Sequence, residues 1–241
     1  MITFRNFFEG GMVMTYIFQF WHTLKNPASL SYLLEKEENH GPLQGYKKAV
    51  FGVFLLAISL FVLRDIWGMY TERLTEILGQ GFIDRYVFAR YISIIGAILL
   101  GVFYFIFHYY VVTYFISLLT DLPYKWIQKV QLYVLTSLIL FNFLEFIIFA
   151  IIQYVPIFSP FSLAAIVAQF TSNLWVLYFF NQIAFTTFIT IVIQYIFFEQ
   201  WIDKGRKSLL LKLFFVQIFI AVMIATFSNS PVIEWIVREL S

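Results

Sequence analysis

The chain has 241 residues, of which 61% are hydrophobic and only 12% are charged, whereas ordinary soluble domains are about 25% charged. This composition excludes an ordinary soluble domain and indicates a polytopic membrane protein. The formal net charge of +2 gives no reason to expect a nucleic-acid partner, and the absence of cysteine excludes disulfides and thiolate metal sites.

Residues 1–48 precede the first long apolar stretch and contain two short helical patterns. The segment 12–24 is apolar but too short to cross a bilayer, and no small-residue cleavage site follows it. We therefore expect a helix at the membrane interface. Asn26 is typical of an N-cap and Pro27 of a first helical position, which predicts a second short helix that ends at Gly41 and Pro42. The whole region is expected to be cytoplasmic or interfacial.

Five apolar stretches follow, at residues 49–70, 91–119, 132–157, 175–198 and 213–227. A helix needs about 20 mostly apolar residues to cross the hydrocarbon layer, and the last stretch reaches that length by including residues 209–211. Only a helix satisfies its backbone polar groups within one segment of a bilayer. The sequence thus predicts an all-α bundle of five transmembrane helices over residues 49–227, followed by an extracytoplasmic amphipathic tail at 228–241.

The distribution of basic residues predicts the orientation of these spans. Most of the 16 Lys and Arg lie in residues 1–48 and in the connections after the second and fourth spans. The positive-inside rule therefore predicts an inner N-terminus and an outer C-terminus. The connection after the first span carries a short amphipathic pattern that Thr71 is expected to cap. The stretch 156–173 is consistent with a re-entrant turn or with an outer loop leading into the fourth span, and we favour the outer loop.

Glu145 lies inside the third predicted span, where a carboxylate costs roughly 2.5–3.5 kcal/mol on insertion scales. At a rise of about 1.5 Å per residue, polar residues of two other spans fall at a similar depth. The sequence therefore predicts a polar cluster in the outer half of the bundle, formed by Arg64, Asp65, His108, Asn142 and Glu145. Three interpretations stay open: a structural pin that fixes helix rotation, a site that handles protons or a ligand, and no contact among these residues.

Two further patterns concern helix packing and a possible polar path. Ser93, Ala97 and Gly101 are small residues four positions apart, which permits close approach of another helix. The fourth predicted span has polar residues at every fourth position, namely Gln182, Thr186, Thr190 and Gln194. Such a stripe is typical either of hydrogen bonds between helices or of the lining of an aqueous path.

Motifs of soluble enzymes are missing from the sequence. There is no phosphate-binding glycine loop, no H-E-x-x-H pattern and no G-x-S-x-G elbow, and the three histidines are isolated from one another. The sequence therefore predicts a protein that is not an enzyme and that has no cofactor and no metal ion.

The order of the N-terminal features resembles that of bacterial members of the Yip family of five-span membrane proteins. The resemblance rests on residues 24–27 (Leu-Lys-Asn-Pro), on a short helix ending in the charged residues 35–38 (Glu-Lys-Glu-Glu), on the Gly41-Pro42 break and on the spans that follow. It implies five crossings, a cytoplasmic N-terminus and action through other proteins rather than catalysis. Some bacterial members accompany ABC-type exporters linked to protection against toxic peptides.

Two functions are therefore expected. The first is a non-enzymatic accessory or assembly partner of another membrane protein in the bacterial cell membrane, with an ABC-type transporter as the partner that the resemblance implies. Its aromatic helix faces and N-terminal helices would serve as docking surfaces. The alternative is a transporter or permease subunit whose polar pathway is formed by Glu145, His108 and the stripe from Gln182 to Gln194.

Overall fold

The structure is a computed structural model, and it describes residues 18, 20–26, 28–40, 43–69, 71–202 and 206–230. In these residues the protein is all-α and has isolated β-bridges but no strand, and one of these bridges joins Ser162 to Ala184. The chain forms two compact units, Met1–Phe51 and Gly52–Ser241.

The first unit contains two short helices, α1 (Phe20–Lys25) and α2 (Ala28–His40). The backbone N–H and the hydroxyl of Ser29 both donate to the carbonyl oxygen of Asn26, at 3.0 Å and 2.6 Å, so the turn before α2 is closed at this residue. The expected helix start at Pro27, the expected stop at 41–42 and residues 12–17 of the interfacial segment lie outside the described residues.

Four helical segments are long and apolar enough to cross a bilayer, among the residues that the structure describes. They are α3 (Tyr46–Trp67), a continuous segment at Ile83–Leu119, α7 (Tyr124–Ile152) and α11 (Arg206–Ser228). The continuous segment consists of α5 (Ile83–Ile106), a π-helical turn (Phe107–Val111) and α6 (Val112–Leu119). Large apolar side chains such as Phe88, Leu99 and Phe103 are exposed along it, as a lipid environment allows.

The fourth predicted span is not one helix, which corrects the expectation of five continuous crossings. Residues 175–198 form two helices, α9 (Leu174–Gln182) and α10 (Phe185–Phe198). Between them Ile183 (φ −87°, ψ 76°) and Ala184 (φ −111°, ψ 171°) leave the helical conformation. Hydropathy could not reveal the break, because the residues at it are apolar.

The connection from α7 to α9 supplies the backbone partners of this break. The N–H of Leu163 donates to the carbonyl of Ile183 at 3.1 Å, and the N–H of Phe185 donates to the carbonyl of Phe161 at 3.0 Å. Ser162 and Ala184 thus form an antiparallel bridge. The expected outer loop at 156–173 is therefore packed against the break, and it includes a short helix, α8 (Ala164–Val167).

The connection between α3 and α5 contains α4 (Glu72–Gly79), where the amphipathic pattern predicted a short helix. Thr71 occupies the N-cap position of α4 as expected, but its side chain makes no capping hydrogen bond, because its hydroxyl donates backwards to the carbonyl of Gly68 at 2.9 Å. At the other end of the chain α11 includes Ser228, the first residue of the tail predicted at 228–241, and residues 231–241 of that tail lie outside the described residues.

Candidate functional site

A polar cavity of about 290 Å³ lies within the unit Gly52–Ser241. Each of the four long helical segments contributes to its wall, together with α9, α10 and the connection after α7. The polar side chains of the wall are Arg64, Tyr104, His108, Gln131, Asn142, Glu145, Ser159, Asn181, Gln182, Thr186, Thr187, Thr190 and Gln217. An intramembrane wall with so many polar groups is rare and marks a binding site or pathway by default.

The cavity is elongated along α7. Gln131 and Glu145 both line it, and at the α-helical rise their Cα atoms are about 21 Å apart along the helix axis. Glu145 lies about 10 Å before the C-terminal end of α7 at Ile152. The cavity therefore extends along roughly the middle half of this helix, with Gln131 at its N-terminal end and Glu145 at its C-terminal end. We call these the glutamine end and the glutamate end.

The glutamate end is closed by the connection after α7. The hydroxyl of Ser159 donates to Oε1 of Glu145 at 2.5 Å. The backbone N–H of Ser159 and the hydroxyl of Ser162 both donate to Oδ1 of Asn181, at 3.0 Å and 3.1 Å. These bonds hold the connection against α7 and α9 at the depth of Glu145.

Asn142 and Arg64 also belong to the glutamate end. Nδ2 of Asn142 donates to the carbonyl of Leu138 at 2.9 Å and approaches the hydroxyl of Tyr104 at 3.5 Å. The Tyr104 ring packs on Phe61 at 5.3 Å between centroids, and the guanidinium of Arg64 lies 5.9 Å from the centre of the same Phe61 ring. One cationic and one carboxylate side chain therefore both line the cavity at this end.

His108 enters the wall from the π-helical turn Phe107–Val111. Its ring lies 4.6 Å from that of Tyr104, between centroids, and the hydroxyl of the same Tyr104 is 3.5 Å from Nδ2 of Asn142. A π-helical turn inserts one residue into an α-helix and occurs frequently at functional sites. The π-helical turn of this segment therefore lies at the polar wall of the cavity.

Asp65 does not belong to the cavity, although it was expected in the cluster with its four partners. The hydroxyl of Ser93 donates to its Oδ1, and Nη2 of Arg90 lies 3.8 Å from its Oδ2. The same Arg90 nitrogen donates to the backbone carbonyl of Asp65 at 2.9 Å, in the last turn of α3. Asp65 therefore joins α3 to α5 beside the cavity, while Arg64, His108, Asn142 and Glu145 line it.

The small residues of α5 lie on the side that approaches α3. A Cβ atom added at Gly101 would lie 2.8 Å from the Cα of Ile58, so the two backbones are nearly in contact there. Ser93 makes its bond to Asp65 two turns earlier, and Ala97 lies between them in the same four-residue spacing.

The predicted polar stripe is divided between two helices. Gln182 ends α9, whereas Thr186, Thr190 and Gln194 lie on α10 beyond the break. The first three of these residues line the cavity. Gln194 is fully buried behind it, and its Nε2 donates to Oε1 of Gln131 at 3.0 Å.

Sequence reasoning missed six polar wall residues, namely Tyr104, Gln131, Ser159, Asn181, Thr187 and Gln217. Gln217 is a single amide within the fifth apolar stretch and was a visible exception there, whereas Gln131 immediately precedes the third stretch. Ser159 carried no comparable signal, because only the folding of its loop brings it to Glu145.

The wall of the cavity can form hydrogen bonds with a polar molecule. Hydroxyls, carboxamides, one guanidinium and one carboxylate offer both donors and acceptors. Within the described residues no group of three His, Cys, Asp or Glu side chains is placed to hold a metal ion. Irregular backbone at membrane depth is tolerated where protein buries it or where it lines a water-filled cavity. At the break between α9 and α10, Ile183 and Ala184 are half-buried and Ala184 lines the polar cavity.

Taken together, these features define an integral membrane protein with a polar cavity inside its helical bundle. Comparison with protein-family models, with curated proteins and with solved structures finds no match to this chain.

Proposed function

We propose that this protein binds a small polar solute in its central cavity and moves it across the bilayer, as a transporter or permease subunit does. The observation that carries the proposal is the helix break at Ile183–Ala184, which opens directly into the polar wall. Discontinuous helices next to a midplane cavity are the usual construction of solute sites in transporters. At this break Ala184 lines the cavity, while residues 161–163 pair with the backbone groups of its neighbours.

The proposal includes five crossings, with α9 and α10 together as an interrupted fourth crossing. Residues 174–198 are enough to cross about 30 Å of hydrocarbon even with two residues out of helical conformation. The chain ends then lie on opposite sides, with the N-terminus inside, in the plasma membrane of a bacterial cell. Tags at the two ends, tested for protease access in intact cells, must then respond oppositely.

The shape of the cavity supports movement of a solute as well as binding. The glutamate end is covered by the Ser159 connection, and the glutamine end is closed by the fully buried pair of Gln131 and Gln194. A path with a removable barrier at each end is what alternating access requires.

Cysteine labelling tests whether the cavity holds water, and the natural chain has no cysteine to interfere. Thr186→Cys puts a thiol on the cavity wall, whereas Phe188→Cys puts one on an exposed side of the same helix, where lipid is expected. Only a hydrated thiol forms the thiolate that reacts with a charged, membrane-impermeant methanethiosulfonate. In proteoliposomes we expect Thr186→Cys to react at least about tenfold faster than Phe188→Cys. Equal rates would contradict an aqueous cavity.

A second candidate is the accessory role that the Yip resemblance implies, with an ABC-type transporter as partner. The segment Ile83–Leu119 favours it, because this is the least buried of the four long helices and leaves apolar surface that either lipid or another membrane protein can cover. Purification in mild detergent distinguishes the two candidates: a partner recovered in fixed ratio supports the accessory role, and solute movement by the chain alone supports the transport role.

A further inference from the structure

The glutamine end of the cavity contains an incomplete hydrogen-bonding pair. Nε2 of Gln194 donates to Oε1 of Gln131 at 3.0 Å, and neither side chain has any exposed surface. Among the described residues, Nε2 of Gln131 and Oε1 of Gln194 have no hydrogen-bond partner. One amide donor group and one carbonyl acceptor of this pair are thus buried without partners, and Gln131 lines the cavity while Gln194 lies behind it.

Two groups of the pair stay without hydrogen-bond partners whichever way the two carboxamides are oriented. Turning both amides over would make Gln131 the donor and Gln194 the acceptor, and would again leave one NH₂ group and one carbonyl oxygen unfilled. Buried polar groups are nearly always satisfied in proteins, and an exception in a cavity wall points to a ligand group that completes it.

The charge of the cavity wall narrows the class of ligand. Its charged side chains, Arg64 and Glu145, both lie at the glutamate end, and Glu145 is about 21 Å along α7 from Gln131. Among the described wall residues near Gln131, the polar neighbour on α10 is Thr190, a neutral hydroxyl. A dehydrated cation needs several oxygen ligands at once, and a dehydrated anion needs positive charge, so neither is matched here.

We infer that the Gln131–Gln194 pair is the specificity-determining element of the pathway and that it selects small uncharged solutes carrying a carboxamide or urea group. Such a group has one carbonyl oxygen next to N–H donors, so it offers the acceptor that Nε2 of Gln131 lacks and the donor that Oε1 of Gln194 lacks. The inference rests on the proposed function, because it names the solute class for that same cavity.

The test measures uptake of radiolabelled urea and acetamide into proteoliposomes that contain the full chain. We expect uptake above that of protein-free vesicles, and a reduction of about tenfold in the double variant Gln131→Met/Gln194→Met. Methionine is unbranched and of similar length, and changing both partners leaves no single buried amide unpaired. Gln200→Leu, at an exposed residue outside the cavity wall, is the matched control and should keep full uptake.

Two further measurements separate the possible failures. Wild-type vesicles are assayed in parallel with ⁸⁶Rb⁺ and ³⁶Cl⁻, so the result does not depend on the variant folding. Uptake of these ions without urea or acetamide overturns the inference but leaves the proposed function standing. Absence of all uptake also overturns it, and the labelling of Thr186→Cys then decides whether the proposed function falls with it. Unchanged urea uptake in a folded double variant shows that the pair only fixes the helices.

Discussion

The close approach of α3 and α5 at Gly101 makes a quantitative prediction. In Gly101→Ala the new Cβ would lie 2.8 Å from the Cα of Ile58 and 3.3 Å from its nitrogen. Carbon atoms are best separated by about 3.5–4.0 Å, so the helices must move apart by about 1 Å at this point. Overpacking of this kind costs about 1–3 kcal/mol in the free energy of unfolding.

The matched control is Gly96→Ala on the same helix, because a Cβ at Gly96 meets nothing within 4 Å. Both substitutions gain the same helix propensity of up to about 1 kcal/mol, so their difference isolates the steric term. Thermal unfolding in mild detergent should place Gly101→Ala about 2–12 °C below Gly96→Ala. Equal melting temperatures, or a higher one for Gly101→Ala, would refute the contact between the two backbones and with it the position of α3 beside the cavity.

Three other substitutions address the cavity and its support. Ser159→Ala removes the hydrogen bond to Glu145 and should lower the free energy of unfolding by about 1.5–3 kcal/mol. The control Ser137→Ala should lower it by at most about 1 kcal/mol, because the Ser137 hydroxyl bonds within its own helix. Chemical unfolding in detergent measures both losses, and equal losses would contradict the hydrogen bond that closes the glutamate end. Arg90→Met should lower the free energy of unfolding by about 1–3 kcal/mol, because Arg90 bonds to Asp65 of α3. Arg85→Met, at an exposed residue of the same helix, should leave it unchanged, and the reverse order would refute the link between Arg90 and α3. Glu145→Gln keeps an acceptor for Ser159, so the melting temperature should stay within a few degrees while solute uptake falls; unchanged uptake would favour a purely structural carboxylate.

The long helices could be predicted from the sequence because a single physical requirement determines them. A helix needs about 20 consecutive apolar residues to cross hydrocarbon, and among the described residues four of the five stretches meet this condition as continuous helices. The break at Ile183–Ala184 could not be predicted in the same way. Both residues are apolar, and the partners of their backbone groups come from residues 161–163, in a separate segment of the chain.

The polar residues show the same division between local and long-range information. The uniform rise of a helix allowed Arg64, His108, Asn142 and Glu145 to be placed at similar depth, and the structure brings them to one wall. The same reasoning could not assign Asp65, because its partner Arg90 lies on another helix and depth says nothing about rotation. The pairing of Gln194 with Gln131 spans 63 positions and depends on the packing of α10 against α7.

The π-helical turn at Phe107–Val111 has a consequence for how one helix serves two sets of neighbours. An additional residue in the turn rotates the side chains that follow it by roughly 100° about the helix axis. Before the turn, Gly101 of α5 meets α3, whereas after it α6 contacts α7 and α11. Deleting one residue from the turn would restore a regular helix but would rotate the contact face of α6 away from α7 and α11. The additional residue therefore lets one continuous helical segment pack against α3 on one face and against α7 and α11 on another.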